Sequence, residues 1–292
     1  MELGLVPAET TVFALLPVHN RWDQTRQCLD CLRKQTCGNL RVIVVDDGST
    51  DGTSGFLKNE YPEATVLAGN GSLWWAGGVN RGMEFALRSA SPEDFLLIMN
   101  NDLSFDENFV ASLCRESIER GRAGIAAMSV DRETGEFVDT GVVVDWKRAK
   151  IVAAHSTEGP PREADAYSTR GLLLPVPVAS AAGPLREKDL PHYLTDLEYT
   201  LRILKLGLPL YRSRAVTARL DAATTGLRVR PGSRSPWQDI RDHLFNYRSP
   251  SNIVHWIRFL RICCPWKYLP RWAFAVATSE MKFAVKALIA RG

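Results

Sequence analysis

The stretch "DFLLIMNNDLSFDENF" (94–109) runs through five apolar residues, Phe95 to Met99, and then stops on Asn100, Asn101 and Asp102. A short run this apolar fits a strand covered on both faces, as strands of parallel sheets are. It ends on two amides and a carboxylate, where a turn would more often carry Gly or Pro. In open parallel sheets ligands bind beyond the carboxyl ends of the strands, so a carboxylate there stands over a cleft. Whether 94–109 closes a parallel strand therefore decides both the fold and the place of a site.

Working outward, the upstream sequence alternates strand and helix. "TVFALLPV" (11–18), "LRVIVVDDG" (40–48) and "ATVLAG" (64–69) read as strands, the second almost continuous in Val and Ile. "WDQTRQCLDCLRKQ" (22–35), "STDGTSGFLKNEY" (49–61) and "GVNRGMEFALRSA" (78–90) read as helices between them. Strands separated by single helices imply a parallel sheet built by right-handed crossovers. The expectation is an α/β fold with a mostly parallel central sheet and helices on both faces. Its strand ends are "PVHNR", "DDGSTD", "GNGSLWW" and "NND", and each carries acidic or amide groups.

The second half is less regular. "AGIAAMSV" (123–130) and "GVVVDW" (141–146) predict strands, and "RGLLLPVPVASAAG" (170–183) a strand interrupted by prolines. "LPHYLTDLEYTLRILKLG" (190–207) predicts a helix, with Thr195 and Asp196 near its start and Gly207 as its stop. "PLYRSRAVTARL" (209–220) predicts a last strand. The composition then shifts, which divides the chain into a domain over 1–225 and a basic, aromatic helical extension over 226–292. After residue 250 a series of Lys and Arg is opposed by Glu280 alone, with Trp256, Phe259, Trp266, Tyr268, Trp272 and Phe274 among them. Two readings of that extension stay open. It has the composition of helices resting in a membrane interface, and equally of helices packed on the main domain or on a second copy.

Bulk composition excludes little. With 45% hydrophobic and 24% charged residues the chain is that of a folded globular protein, and a net charge of +3 argues against nucleic acid as a partner. The apolar run near the N-terminus has no basic start and reads as a strand, and no segment reaches the roughly 18 apolar residues of a membrane span. The expectation is a cytoplasmic protein with six reduced cysteines.

The strand ends suggest their own chemistry. Asp102 is a hard oxygen ligand of the kind Mg²⁺ or Mn²⁺ takes, often together with substrate phosphates. Asp46 and Asp47, ending the second strand, are placed to accept a base imide N–H or a ribose hydroxyl. Gly69, Gly71, Gly77 and Gly78 flank Trp74 and Trp75, whose rings could stack on a sugar or base or simply fill the core. Trp74 stands where a dinucleotide fingerprint needs its third glycine, and no phosphate-binding P-loop is present.

In order and spacing, "LLPVHNR", "VVDDGSTDGT", "GNGSLWWAGGVNRG", "LLIMNND" and "HYLTDLEYTLRILKLG" resemble glycosyltransferase family 2 over roughly residues 10–220. The similarity points to a rhamnosyltransferase-like branch of polysaccharide-building enzymes. It implies a GT-A fold, a divalent cation and an inverting enzyme. The donor would be a UDP- or dTDP-sugar, dTDP-rhamnose among them, and the acceptor a saccharide or lipid-linked saccharide of a cell wall, O-antigen or capsule. A place on the inner face of the cell membrane, with membrane contact through the C-terminal helices, and self-association would suit such work.

Carried over, Pro17, His19, Asn20 and Arg21 border the nucleotide, Asp46 and Asp47 hold base and ribose, and Asn80 and Arg81 line the donor phosphates. Asn101 and Asp102 belong to the Asp-x-Asp metal motif, and Asp196 is the catalytic base, with Arg202 the arginine later in its helix. Three departures stand out. Asn100 replaces the first Asp of the metal motif, Thr195 replaces a Glu beside the base, and no His follows the last strand as a third ligand, Asp221 being its stand-in. Asp196 at a helix N-terminus is expected to be held as the anion. Nucleotidyl transfer is a weaker reading, because "LLPVHNRWDQ" lacks the glycine-rich basic loop that reaction needs. A catalytically silent glycan-binding or synthase-docking module with the same fold is the alternative from another class.

Overall fold

A computed structural model describes residues 9–154, 164–221, 229–232 and 234–290. Ten strands and nine helices follow one another in these residues. The first half runs β1 (Val12–Val18), α1 (Trp22–Arg33), β2 (Leu40–Asp46), α2 (Thr53–Glu60), β3 (Thr65–Ala68), α3 (Trp74–Leu87), β4 (Phe95–Ile98) and α4 (Phe109–Glu119). The second half runs β5 (Gly124–Asp131), β6 (Phe137–Asp139), β7 (Val142–Asp145), β8 (Lys150–Ala153), β9 (Leu172–Pro175), α5 (Val176–Ala182), α6 (Thr195–Lys205) and β10 (Leu210–Leu220). The extension holds α7 (Pro236–Phe245), α8 (Ile253–Cys263) and α9 (Leu269–Ile289).

The main sheet has the order β10-β5-β9-β4-β1-β2-β3, with β6 added to β5. The pairs of β1 with β2 and β4, of β2 with β3 and of β5 with β10 are parallel, while β9 runs antiparallel to both its neighbours. The side chains of β1 show why the sheet is covered twice. Val12, Ala14, Leu16 and Val18 enter one core and Phe13 and Leu15 the other, the two-residue alternation of a strand. Helices α1 and α4 cover the first face through Leu29, Leu32, Phe109 and Leu113, and α3, α5 and α6 the second through Val79, Met83, Ala179 and Tyr199.

The register sets the carboxyl ends level. Val18 lies opposite Asp46, Asp46 opposite Ala68, and Leu15 opposite Ile98. Segments 17–21, 46–51, 69–74 and 99–102 therefore leave the sheet along one edge.

Three sequence expectations change. The stretch 170–183 is a four-residue strand followed by a helix, because Pro175 caps α5 and Pro177 sits in its first turn, where a missing N–H costs nothing. Helix α3 begins at Trp74, four residues before its expected start, so both tryptophans lie in its first turn and outside the glycine loop. Helix α4, β6 and β8 are additional elements. All six cysteines are free, as expected for reduced thiols.

The extension packs on the rest of the chain. Phe259, Leu260 and Trp272 are buried with Leu190, Leu194 and Leu201 around α6 and with Val144 of the β7–β8 hairpin. The Trp272 indole N–H donates to the carbonyl of Trp146 at 3.1 Å. Helix α7 is held by a capping box at Ser235 and Gln238, and Nε2 of His243 bonds Oε2 of Glu280 on α9 at 2.6 Å. The remaining face is left bare, with Ile257 51%, Trp266 83%, Phe274 71% and Met281 64% exposed. No helix among the described residues is long and apolar enough to cross a membrane.

Candidate active site

A cavity of about 430 Å³ opens at the edge where the parallel strands end. That is the size of a small-ligand site. Its wall on the β1 and β4 side is made by Pro17 to Arg21 and Asn100 to Asp102, and Asp47, Gly71, Trp74 and Trp75 also line it. Thr169, Arg170, His192, Tyr193, Asp196 and Arg248 complete it. Asp102 and Asp196, distant along the chain, thus face one space.

The end of β1 is strained and pinned. Asn20 and Arg21 adopt left-handed φ values of 59° and 64°, as do Trp74 at 56° and Leu194, two residues before Asp196, at 66°. Such residues cost on the order of 1–3 kcal/mol each and persist where surrounding structure holds them. Here the Asn20 backbone N–H donates to Ser49 Oγ at 2.8 Å, and its side-chain oxygen accepts the Thr50 N–H at 2.7 Å. His19 donates from Nδ1 to the carbonyl of Asp47 at 2.7 Å, which leaves Nε2 as an acceptor. The end of β1 is thereby tied to that of β2.

Asp47 lines the cavity, yet both of its carboxylate oxygens accept backbone N–H bonds. Gly71 donates at 2.8 Å and Trp74 at 3.0 Å, so this anion sits at the N-terminus of α3. Gly69 is required beside it, since a Cβ there would lie 2.6 Å from Asp47 Oδ1. Asp46 does not line the cavity, because its carboxylate is taken by the Ser49 N–H and the Ser54 hydroxyl. Asn80 also lies outside the lining. Its amide bonds Leu185 in both directions and Glu187 at 2.7 Å, so it fastens the loop before α6. Arg81 is exposed on α3, away from the lining.

Asn101 reaches back to Thr25 Oγ1 at 2.9 Å and so fixes the backbone that carries Asp102. The Asp102 side chain is 9% exposed, and its Oδ2 lies 3.7 Å from the Arg21 guanidinium. Its Oδ1 is buried without a hydrogen-bond partner. A buried carboxylate oxygen left open at a cavity wall fits a cation ligand. No cluster of three or more His, Cys, Asp or Glu that could hold a metal occurs among the described residues. A divalent ion at Asp102 would thus draw its other ligands from a bound substrate and water, as Mg²⁺ commonly does. Asp221, the sequence stand-in for a third ligand, is exposed and outside the cavity lining.

Asp196 is the second residue of α6, is half-buried and lines the same cavity. Its Oδ1 accepts the Leu197 N–H at 2.9 Å. Burial nevertheless raises its pKa to about 6, against the lowering effects of that bond and of Arg170. Desolvation thus outweighs the helix dipole, and the anion is less favoured than expected, yet the carboxyl is still mostly ionised at neutral pH, as expected from the sequence. Thr195, in the place of the expected glutamate, is fully buried with an unpartnered hydroxyl. Arg202 serves α6 itself: with Arg186 it binds the buried Glu198, and it also donates to the carbonyls of Ala182 and Pro184.

Three lining residues, Thr169, Arg170 and Arg248, carry no signal in the sequence that marks them, and His192 stands there only as the first residue of "HYLTD", with no role assigned. Antiparallel β9 brings its beginning to the edge where its neighbours end, and the Gly171 N–H donates to the Ile98 carbonyl at 3.1 Å. That turn delivers Thr169 and Arg170. His192 is buried enough, and close enough to Arg248 and His255, for its pKa to fall to about 4, so it is neutral.

Three comparisons bear on this site. The model of the family described as Glycosyl transferase family 2 matches residues 14–183, more than half of the chain. Over 59 residues the chain is 42% identical to Glycosyltransferase GlyA of Streptococcus pneumoniae serotype 4, a match covering 20% of this chain and only 8% of that protein. A crystal structure of GalNAc-T7 with UDP, GalNAc and Mn²⁺ superposes with a TM-score of 0.59 at 13% identity, over 92% of this chain and 57% of that one. The mannosyltransferase PcManGT of Pyrobaculum calidifontis, in complex with GDP-Man and Mn²⁺, gives a TM-score of 0.52 at 17% identity, over 95% and 77%. At such identities the two structures speak for the fold.

Proposed function

The chain belongs to glycosyl transferase family 2 and has a GT-A fold, and we propose that it is a glycosyltransferase that works by inversion on a UDP- or dTDP-sugar, dTDP-rhamnose being one such donor. The acceptor is a hydroxyl of a growing cell-surface polysaccharide or glycolipid. The observation that carries this reading is the common cavity of Asp102 and Asp196.

The donor's diphosphate lies against Asp102 and Arg21, and its nucleoside against His19, Asn20 and the Asp47 segment. Asp102 would hold a divalent cation, Mg²⁺ or the Mn²⁺ found in the two similar structures, which would supply charge neutralisation for a leaving diphosphate. Asp196 takes the proton of the acceptor hydroxyl, which attacks the anomeric carbon as the bond to the diphosphate oxygen breaks. With a pKa of about 6, Asp196 is roughly nine-tenths ionised at neutral pH and more basic than an ordinary carboxylate. A placed base of this kind typically contributes about 10²–10⁴-fold. Asp102 and Asp196 are carried by elements packed into the buried cores, which supports the alignment a single displacement needs.

The extension supports a second part of the reading, contact with the cytoplasmic face of a membrane. Trp266 and Phe274 are largely exposed near Lys267 and Arg271, and the one acidic residue after 250 is occupied by His243. Proton NMR of the sugar released or transferred from dTDP- and UDP-sugars tests the central reading. The anomer opposite to the donor's is expected, and retention would rule out the displacement. Sedimentation with anionic vesicles tests the membrane part.

A further inference from the structure

Three arginines and three aspartates line the cavity, and one of the aspartates, Asp47, is already taken by two backbone N–H groups. Arg21 faces Asp102, but Arg170 and Arg248 stand on the side of Asp196 and His192. Among the described residues neither of these two guanidinium groups forms a salt bridge or a side-chain hydrogen bond. Arg186, Arg202 and Arg234, by contrast, are all paired. Arg170 is half-buried near the Asp196 carboxylate without bonding it and Arg248 is exposed at the cavity, and two arginines from different elements in one concavity attract an anion.

Neither arginine is there by accident of a loose loop. Arg170 is fixed by the turn into β9, through the bonds of Gly171 to Ile98 and Ala127. Arg248 follows Tyr247, whose ring stacks on Trp74 with centroids 4.9 Å apart and planes 22° apart. Its loop is closed by Ser249 Oγ donating to the His243 carbonyl at 2.6 Å and by Asn252 donating to the Asn246 carbonyl at 3.2 Å. The extension therefore contributes a side chain to the cavity as well as covering α6.

We propose that Arg170 and Arg248 form an anion subsite for the acceptor, and that the acceptor saccharide carries a phosphoryl group near the hydroxyl that is glycosylated. This rests on the assignment of Asp196 as the base, since the subsite is placed by its nearness to that residue. A carboxylate is filled by one bidentate arginine, whereas a phosphoryl group has three oxygens and can be held from two elements at once. Arg248 is then an acceptor-positioning residue supplied by the extension. The phosphoryl group belongs either to a soluble sugar phosphate or to a lipid-linked diphosphate.

Calorimetric titration of the full chain, first with UDP or dTDP and Mn²⁺, separates the donor from the acceptor side. Failure of every nucleotide to bind would sink the donor reading, and the subsite with it. On the nucleotide-saturated protein, glucose 1-phosphate serves as a soluble ester probe, farnesyl diphosphate as a lipid-linked one and glucuronate as a carboxylate. At least one phosphoryl probe is expected to bind without displacing nucleotide, and the tighter of the two identifies the source. Arg170→Ala and Arg248→Ala should each weaken it at least tenfold, Arg248→Lys should recover part, and nucleotide affinity should change less than twofold. No binding of either phosphoryl probe, preference for glucuronate, or equal weakening of nucleotide and probe in the variants would each overturn the proposal.

Discussion

Trp74, at the first turn of α3, and Tyr247, in the loop between α7 and α8, stack face to face with centroids 4.9 Å apart. The contact joins the wall of the cavity made by α3 to the extension, and Arg248 is the next residue. Stacked aromatic pairs are worth about 0.5–1.5 kcal/mol beyond their buried area. Tyr247→Ala should therefore lower kcat/KM for transfer by about two- to tenfold. The melting temperature should hardly move, since Tyr247 is 44% exposed. Steady-state kinetics beside a thermal melt checks this. A large loss of stability would mean that the stack holds the fold together.

The pKa of Asp196 fixes a pH profile. Burial raises it to about 6, so the base form is lost as pH falls through that value. The profile of kcat/KM should rise tenfold per pH unit below about 6 and level off above it. Stability runs the other way. A carboxyl that binds its proton more tightly when folded costs stability above its folded pKa and returns it as pH falls toward the ordinary carboxylate range. Asp196→Asn should accordingly raise the melting temperature at pH 7 while leaving it little changed at pH 4.

Asp102 gives a metal prediction. With one buried oxygen unpartnered and no ligand cluster around it, the cation site is expected to be weak until donor is bound. Mn²⁺ alone should raise the melting temperature little, and Mn²⁺ with UDP much more than either alone. Asp102→Asn should remove that synergy, and EDTA should abolish transfer. Full activity in EDTA would leave Arg21 as the group that meets the diphosphate.

Glu198 is 2% exposed and binds Arg202 at 2.9 Å and Arg186 at 3.1 Å. The arginines left behind by its removal are 20% and 46% exposed, so water takes up part of their charge and the loss is about 1.5–3 kcal/mol. Glu198→Ala should lose stability on that scale in urea unfolding, with activity falling alongside because α6 carries Asp196. A change under about 1 kcal/mol would contradict this account of α6.

What the sequence showed and hid follows from physics at particular residues. Apolar runs ending on polar groups made β1, β2 and β4 legible, and with them Asp102, because parallel strands must be covered on both faces. Helical spacing of Leu197, Leu201 and Leu204 located α6 and hence Asp196. Arg170 was hidden because its position depends on β9 running antiparallel, which "GLLLPVP" does not specify. Arg248 was hidden because tertiary packing alone brings it to the cavity. Asp46 and Asn80 show the converse. Their residue types suit a ligand, but local hydrogen bonds to Ser49, Ser54 and Leu185 claim them first.

The most direct test is to measure, on one preparation of Asp196→Asn, sugar transfer from the donor and nucleotide affinity in the presence of Mn²⁺. Transfer is expected to fall by about 10²-fold or more, while affinity stays within about twofold of the unaltered protein. Transfer at the original rate would show that the carboxylate sharing the cavity with Asp102 is not the base.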